Sequence, residues 1–149
     1  MTFSVIAKNI SYAFSDGYKI FDDLSFNLER GNWISIVGSN GSGKSTLMRL
    51  ILGLEDEYSG TINVKDKTAA VFQNPDDQFI GSTVEEELAF GLENEQIKSD
   101  QMKKKINSML DLVGLNGLAG NLLNQLSGGQ KQRLAIGSAL ITDARIIFF

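Results

Sequence analysis

The N-terminal part of the chain has its apolar residues in short runs that are typical of β-strands. These runs span 3–14, 18–28 and 32–37. Gly17 and Gly31 mark the turns between them. The apolar segments 60–64 and 68–72 predict two further short strands. We therefore expect the chain to open with a strand-rich region.

Helical spacing of apolar residues begins after the third strand run. The expected helices span 45–53, 83–92, 100–113 and a segment from 128 or 129 to about 141. Thr83 and Glu86 form a capping box that opens the second of these helices. Glu85 and Glu87 suit its positively polarised end, so we interpret them as helix-start residues. The apolar run 146–149 predicts a buried strand.

The length and composition indicate one globular domain over 1–149. Of the 149 residues, 42% are apolar and 21% are charged, which is the mixture of an ordinary globular protein. The net charge of -4 argues against a nucleic-acid-binding surface, because such a surface needs clustered Lys and Arg. The basic run Lys103 to Lys105 lies in a helical pattern, and we interpret it as a solvated face.

The chain contains neither cysteine nor histidine. This excludes disulfides, thiol-ligated metals, histidine zinc sites and His-dependent triads within it. No apolar run approaches the roughly 18 residues that a membrane-spanning helix needs, and the N-terminus lacks the pattern of a secretory signal. We expect a cytoplasmic protein that at most docks to a membrane partner.

A glycine-rich loop follows the third strand run and precedes the first helix. Its residues are Gly38, Ser39, Asn40, Gly41, Ser42, Gly43, Lys44 and Ser45. They match the P-loop pattern in the required strand-to-helix context. Successive backbone N–H groups of such a loop point at one anion, and the helix N-terminus adds its partial positive charge. Lys44 then reaches the β- and γ-phosphates of a nucleotide, Ser45 ligates Mg²⁺, and Thr46 completes the expected nucleotide-binding set.

A second glycine motif, Leu126-Ser127-Gly128-Gly129-Gln130, opens the last helix. Five fixed positions occur by chance on the order of once in several thousand chains of this length. Together with the P-loop, the motif resembles the signature motif of ABC ATPases, and the resemblance covers essentially the whole chain. It implies that residues 127–130 contact ATP held by the P-loop of a second ABC ATPase subunit, in a head-to-tail homodimer or heterodimer.

Residues 71–78 resemble the Q-loop of the same family. The resemblance implies that the Gln73 amide reaches Mg²⁺ and the attacking water, and that the loop touches the transport partner. An ordinary polar turn before the single proline is the alternative. The longer segment 71–94 resembles energy-coupling factor ATPases and the related cobalt- and nickel-importer ATPases more than other ABC subfamilies. It implies the import of a vitamin or a transition-metal ion.

The resemblance places the aromatic residue that stacks on adenine at Phe14, just before the turn at Gly17. Tyr12, on the same strand face, is the alternative, and ordinary strand packing remains open for either ring. We interpret Trp33 as a core or sheet-cap residue. The segment between Gly60 and Val71 is shorter than is usual in the family, which affects the expected β subdomain and not the nucleotide site.

The implied fold is an α/β P-loop NTPase with an N-terminal antiparallel β subdomain, a RecA-like core and a helical signature subdomain at about 76–140. Residues 146–149 resemble the strand of a Walker B motif. In the family, an Asp and a catalytic Glu follow this strand, and a switch histidine comes later. We therefore expect a truncated chain whose core lacks its C-terminal part. Such a chain should bind nucleotide but hydrolyse it very slowly.

The leading functional hypothesis is the ATP-hydrolysing subunit of an energy-coupling factor importer. Such a subunit uses ATP and Mg²⁺, lies on the cytoplasmic face of the cell membrane and binds a membrane-embedded coupling subunit. A soluble ABC ATPase that acts on ribosomes or nucleic acid is the first alternative, although no nucleic-acid partner is expected from the charge. A nucleotide-binding regulatory module without turnover is the second.

Overall fold

A computed structural model describes residues 2–93 and 97–149. The chain divides into two compact units, Met1–Lys67 and Thr68–Phe149. Each unit has its own cluster of buried apolar side chains. Asn94, the last residue of the segment that resembles energy-coupling factor ATPases, lies outside the described residues.

The first unit is built on a three-stranded antiparallel sheet with the strand order β2-β1-β3. The strands are β1 (Phe3–Ala13), β2 (Lys19–Glu29) and β3 (Ser59–Val64), and helix α1 (Lys44–Ile51) lies between β2 and β3 in the chain. Ile10 and Tyr12 of β1 share one buried cluster with Leu50 of α1. The helix that follows the glycine loop is therefore packed on the sheet, which fixes the end of the loop.

The second unit combines three helices with a short parallel sheet. Its elements are β4 (Thr68–Ala70), α2 (Val84–Glu93), α3 (Ser99–Leu112), α4 (Gly128–Ile141) and β5 (Ile146–Phe148), and β4 pairs with β5. Leu88 of α2, Leu110 of α3 and Leu134 of α4 lie in one buried cluster. The helices begin and end close to the expected positions. Within the described ranges, none of the helices has the length and apolar character required to cross a membrane.

The capping box predicted for α2 is confirmed. The N–H of Glu86 donates to Thr83 Oγ1 at 3.2 Å, and the N–H of Thr83 donates to Glu86 Oε2 at 3.1 Å. Each side chain thus satisfies a backbone donor that the helix itself leaves unpaired. The start of α2 is therefore fixed by two residues three positions apart, which is why the sequence predicts it well.

The strand predicted over 32–37 is wrong. Residues 32–39 have no regular secondary structure, and Trp33 is 95% exposed. A strand needs a hydrogen-bonded neighbour, and among the described residues none of the strands pairs with this segment. The interpretation of Trp33 as a core or sheet-cap residue is wrong, because its side chain is exposed. The glycine loop thus precedes a helix, as predicted, without following a strand.

The strand predicted at the final apolar run is present but is not fully buried. Residues Ile146–Phe148 form β5 and are half-buried, whereas Phe149 is exposed. Within the part of the chain that is described, β5 has one neighbour, β4. A strand that is paired on one side keeps part of its surface accessible, which accounts for the difference.

Candidate nucleotide-binding site

The loop of residues 38–43 leads directly into α1 and curls around the end of the Lys44 side chain. Gly41 and Gly43 have φ angles of 80° and 91°, in the left-handed region that glycine adopts without steric cost. Lys44 Nζ donates to the carbonyl oxygens of Gly38 at 2.9 Å and Ser39 at 2.8 Å. The ammonium group is therefore held at the loop by two neutral acceptors.

Two of the loop glycines are also required by the space around them. A Cβ at Gly43 would overlap the side chains of Ile20 and Phe21, and a Cβ at Gly38 would lie 2.5 Å from Ser42 Oγ. Because Ile20 and Phe21 belong to β2, the close approach at Gly43 holds the start of α1 against the sheet. A substitution at Gly43, whose φ angle is also positive, would change the shape of the loop, whereas one at Gly38 would require the Ser42 side chain to move.

The loop and the first turn of α1 have the donors that a phosphate group requires. The N–H of Leu47 makes a 2.8 Å helical bond to the carbonyl of Gly43, so the N–H groups of the preceding residues lie at the helix start, where they have no intrahelical acceptor. Ser45 is exposed and Thr46 is half-buried in this turn. These groups fit a nucleoside triphosphate, with Lys44 as the cationic partner.

The chemistry of the loop is also compatible with Mg²⁺ bound together with a nucleotide. A hydroxyl such as that of Ser45 is an oxygen ligand of the type that Mg²⁺ uses. In the described ranges, no group of three or more His, Cys, Asp or Glu side chains could hold a metal ion. A Mg²⁺ ion at this loop would therefore depend on the phosphate oxygens for much of its coordination.

Phe14 and Tyr12 pack edge to face at the end of β1. Their ring centroids are 5.5 Å apart and the ring planes meet at 84°. A turn closes beside them, in which the N–H of Phe14 donates to the carbonyl of Tyr18 at 3.0 Å. Phe14 is 42% exposed and Tyr12 is 9% exposed. An open cavity of about 500 Å³ between the end of β1 and residues 56–59 is lined by Tyr12 and not by Phe14. Of the two candidate rings, Phe14 is therefore the more exposed, and Tyr12 is the one that borders the cavity.

Gln73 is exposed and lies in a loop that begins soon after β4. A hydrogen bond from the backbone to the Gln78 side chain closes this loop. Gln78 Oε1 accepts the N–H of Phe72 at 2.8 Å, across one turn of 3₁₀-helix at Pro75–Asp77. Sequence reasoning missed the role of Gln78, because the bond exists only once the turn between the two residues has formed. The Gln73 amide is therefore presented from a loop of defined shape.

The motif of residues 126–130 forms the start of α4, as predicted. Ser127 is the N-cap: the N–H of Gln130 donates to Ser127 Oγ at 3.3 Å, and the N–H of Ser127 donates to Gln130 Oε1 at 2.7 Å. A Cβ at Gly128 or Gly129 would meet no atom of the described residues within 4 Å, and residues 127–129 are exposed. Packing among the residues that the structure describes therefore does not require the two glycines, and they leave their backbone accessible to an approaching molecule.

The predicted site residues are divided between the two units. Phe14 and the residues 38–46 belong to the first unit, whereas Gln73 and the residues 127–130 belong to the second. Within the first unit, Leu50 of α1 and Tyr12 near the end of β1 belong to the same buried cluster. Within the second unit, an ion pair between Asp76 and Lys131 joins the loop of Gln73 to the start of α4.

A family model described as ABC transporter matches residues 21–149. The chain therefore belongs to the ABC transporter family, and membership of its ATPase domain implies ATP binding. The chain is 43% identical over 152 residues to the energy-coupling factor transporter ATP-binding protein EcfA1 of Leuconostoc mesenteroides, with 93% of this chain and 56% of that protein covered. It is 44% identical over 155 residues to EcfA of Pediococcus pentosaceus, with 94% and 55% covered. The chain spans about half the length of the curated relatives it matches.

A solved structure gives the same result for the fold. The structure of CbiO1 from Clostridium perfringens, described as part of the ABC transporter complex CbiONQ, is similar with a TM-score of 0.85 and 28% identity, over 99% of this chain and 64% of that chain. The predicted α/β P-loop NTPase fold with an antiparallel β subdomain is thereby confirmed, as is the resemblance to energy-coupling factor ATPases.

Proposed function

We propose that the chain is the N-terminal, nucleotide-binding portion of an ATP-hydrolysing subunit. This subunit belongs to an energy-coupling factor importer for a vitamin or a transition-metal ion. The loop that holds Lys44 at the start of α1 carries this proposal. It is supported by the 43% identity to an energy-coupling factor ATP-binding protein over 93% of the chain. Since the chain spans about half of such relatives, turnover is assigned to the complete protein and nucleotide binding to this chain.

Nucleotide binding follows from an exchange of partners at Lys44. Its ammonium group gives up the carbonyl oxygens of Gly38 and Ser39 for β- and γ-phosphate oxygens, which carry full negative charge and make stronger hydrogen bonds. The Ser45 hydroxyl would hold Mg²⁺, and the bound ion would neutralise charge on the same phosphates. Adenine stacks on the exposed face of Phe14.

Hydrolysis requires the residues of the second unit. Gln73 orients the attacking water through its neutral amide. Ser127 and the bare backbone of Gly128 and Gly129 bind the γ-phosphate of ATP held by the P-loop of a second ABC ATPase subunit. The exposure of residues 127–129 supports this contact between subunits, because a group that acts on another chain must be accessible.

The transport partner is proposed to be a membrane-embedded coupling subunit that docks near the Gln73 loop. Ile80, shortly after this loop, is an exposed apolar residue, and so is Phe72 within it. Apolar side chains that are accessible on a surface loop suit a contact with another protein. The position would allow the state of the nucleotide site to be transmitted to the membrane.

The proposed binding site is tested by replacing Lys44 with Ala and measuring ATP affinity by calorimetry. Loss of a charge-assisted contact worth about 1.5 to 3 kcal/mol should weaken binding by roughly tenfold to a hundredfold. Lys8→Ala is the matched control, because Lys8 is an exposed lysine of β1 in the same unit. Equal ATP affinity of the two variants would remove the assignment of the P-loop.

A further inference from the structure

The loop that carries Gln73 is joined to the start of α4 by an ion pair. Lys131 Nζ lies 2.6 Å from Asp76 Oδ1 and 2.9 Å from Asp76 Oδ2. The Lys131 side chain is 20% exposed and that of Asp76 is 54% exposed. The contact joins positions that are 55 residues apart in the chain, so it arises from the fold and not from local sequence.

Each partner of this ion pair belongs to a segment that is already fixed internally. On one side, Asn74 Nδ2 donates to Asp77 Oδ1 at 2.9 Å, and Gln78 closes the loop through the N–H of Phe72. Asp76 sits in the helical turn between these two bonds. Movement of Asp76 would therefore carry the whole Gln73 loop with it.

On the other side, Lys131 directly follows the capping box of Ser127 and Gln130. The N–H of Lys131 donates to the carbonyl of Ser127 at 2.9 Å, which places the lysine in the first turn of α4. A positive side chain is unfavourable at this end of a helix, because the helix N-terminus carries partial positive charge. The carboxylate of Asp76 offsets that repulsion and gives Lys131 one preferred direction.

We propose that Asp76 and Lys131 are positioning residues that hold the Gln73 loop and the segment 127–130 as one piece during ATP hydrolysis. The inference rests on the proposed function, in which both segments act on ATP. Neither side chain touches the nucleotide: their role is to keep two contacting groups in register. In this proposal the pair stays closed throughout the cycle, so that the Gln73 loop and the segment 127–130 move together.

The ion pair is tested kinetically in the complete protein with its partner subunits. Asp76→Asn and Lys131→Gln should each lower kcat for ATP about two- to fivefold, the range expected for a partly exposed ion pair. The KM for ATP should change less than kcat, because Lys44 and the P-loop are intact. The double variant should be no slower than either single variant, and the exchange of Asp76→Lys with Lys131→Asp should restore most of the rate.

A covalent link tests whether the pair stays closed. The chain has no cysteine, so Asp76→Cys with Lys131→Cys introduces the only two thiols within residues 1–149. Once any cysteines elsewhere in the complete protein are replaced with Ser, a short bifunctional thiol reagent can bridge these two. The bridged protein should hydrolyse ATP as fast as the same variant whose thiols are capped separately by a monofunctional reagent. A rate that falls only on bridging would overturn the proposal, and so would additive losses in the double neutral variant or failure of the exchanged pair to recover.

The outcomes separate this inference from the function on which it rests. Equal rates in the unmodified protein and all Asp76 and Lys131 variants would overturn the positioning role and leave the ATPase assignment intact. An unmodified complex without ATPase activity would overturn the proposed function, and the inference with it. The yield of the bridged product measures the proximity of residues 76 and 131 without any nucleotide. The comparison is the yield for Asp76→Cys with Lys103→Cys, because Lys103 lies on the exposed face of α3.

Discussion

At the scale of single residues, the two aromatic side chains at the end of β1 have different environments. Tyr12 belongs to the buried cluster of the first unit, whereas Phe14 begins the turn and keeps an exposed face. Their edge-to-face contact also fixes the orientation of the Phe14 ring. A planar base needs an accessible ring of defined orientation, and Phe14 offers both properties.

Replacement of Phe14 with Ala should therefore weaken ATP far more than inorganic triphosphate. Stacking of a base on an aromatic side chain is worth about 1 to 3 kcal/mol, and triphosphate has no base to stack. Because stacking does not depend on hydrogen-bond donors, the affinity for GTP should fall together with the affinity for ATP. Parallel titrations of the three ligands measure the difference. If Tyr12→Ala shows the selective loss instead, the stacking residue has been placed two positions too far along the chain.

At the scale of elements, the segment before α2 is held by two neighbouring carboxylates. Glu87 Oε2 accepts the N–H groups of Ile80 at 2.8 Å and Gly81 at 2.9 Å, and Glu86 Oε2 accepts that of Ser82 at 2.9 Å. Glu87 is only 6% exposed. The backbone comes so close that a Cβ at Gly81 would lie 2.5 Å from the backbone nitrogen of Glu87. The exposed side chain of Ile80 is thus presented from a fixed backbone.

Glu87→Ala should lower the free energy of unfolding of the second unit by about 1.5 to 3 kcal/mol, because two backbone donors lose a charged acceptor. Glu85→Ala is the matched control, since Glu85 is exposed in the same turn of α2 and should change stability little. Urea unfolding followed by helical circular dichroism measures both variants. Equal stabilities would mean that Glu87 contributes no more than helix-start charge, which is how the sequence alone is interpreted.

The elements that the sequence predicts well are those with local causes. Apolar spacing places Ile106 and Leu110 on the buried face of α3, and the start of α4 follows from Ser127 and its neighbours. The segment 32–37 was predicted wrongly because its strand character depends on a partner elsewhere in the chain. Apolar alternation shows that a segment could pair, and it does not show that a neighbour is present.

In the candidate site too, features with local causes are predicted from the sequence, and contacts between distant segments are not. The P-loop motif predicts the curled glycine loop and the helix that follows it, because the glycines and the helix start lie within a few residues of one another. The bonds of Lys44 to the carbonyl oxygens of Gly38 and Ser39 were not predicted. The contacts of Glu87 with Ile80 and of Lys131 with Asp76 could not be predicted, since each depends on how separate segments pack. The roles of Phe14 and the segment 127–130 in nucleotide binding, and of Gln73 in catalysis, remain predictions.

At the scale of the whole molecule, the groups assigned to the nucleotide are split between two units of the chain. The first unit carries Lys44 and the second carries Ser127, whose capping box fixes the start of α4. An exposed helix start with two unconstrained glycines is suited to an anion that arrives from outside. We therefore expect the segment 127–130 to serve the P-loop of another subunit.

This expectation is tested by mixing two inactive variants of the complete protein in a dimer of two copies. Lys44→Ala spoils every P-loop of its own dimer, and Ser127→Arg spoils every signature contact of its own dimer. If each site combines the P-loop of one copy with residue 127 of the other, the mixed dimer places both lesions in one site and leaves the second site intact. ATPase activity should then partly return in mixed dimers purified through two different tags. If each copy serves its own P-loop, both sites of the mixed dimer carry one lesion, and a verified mixed dimer without activity would rule out the shared site.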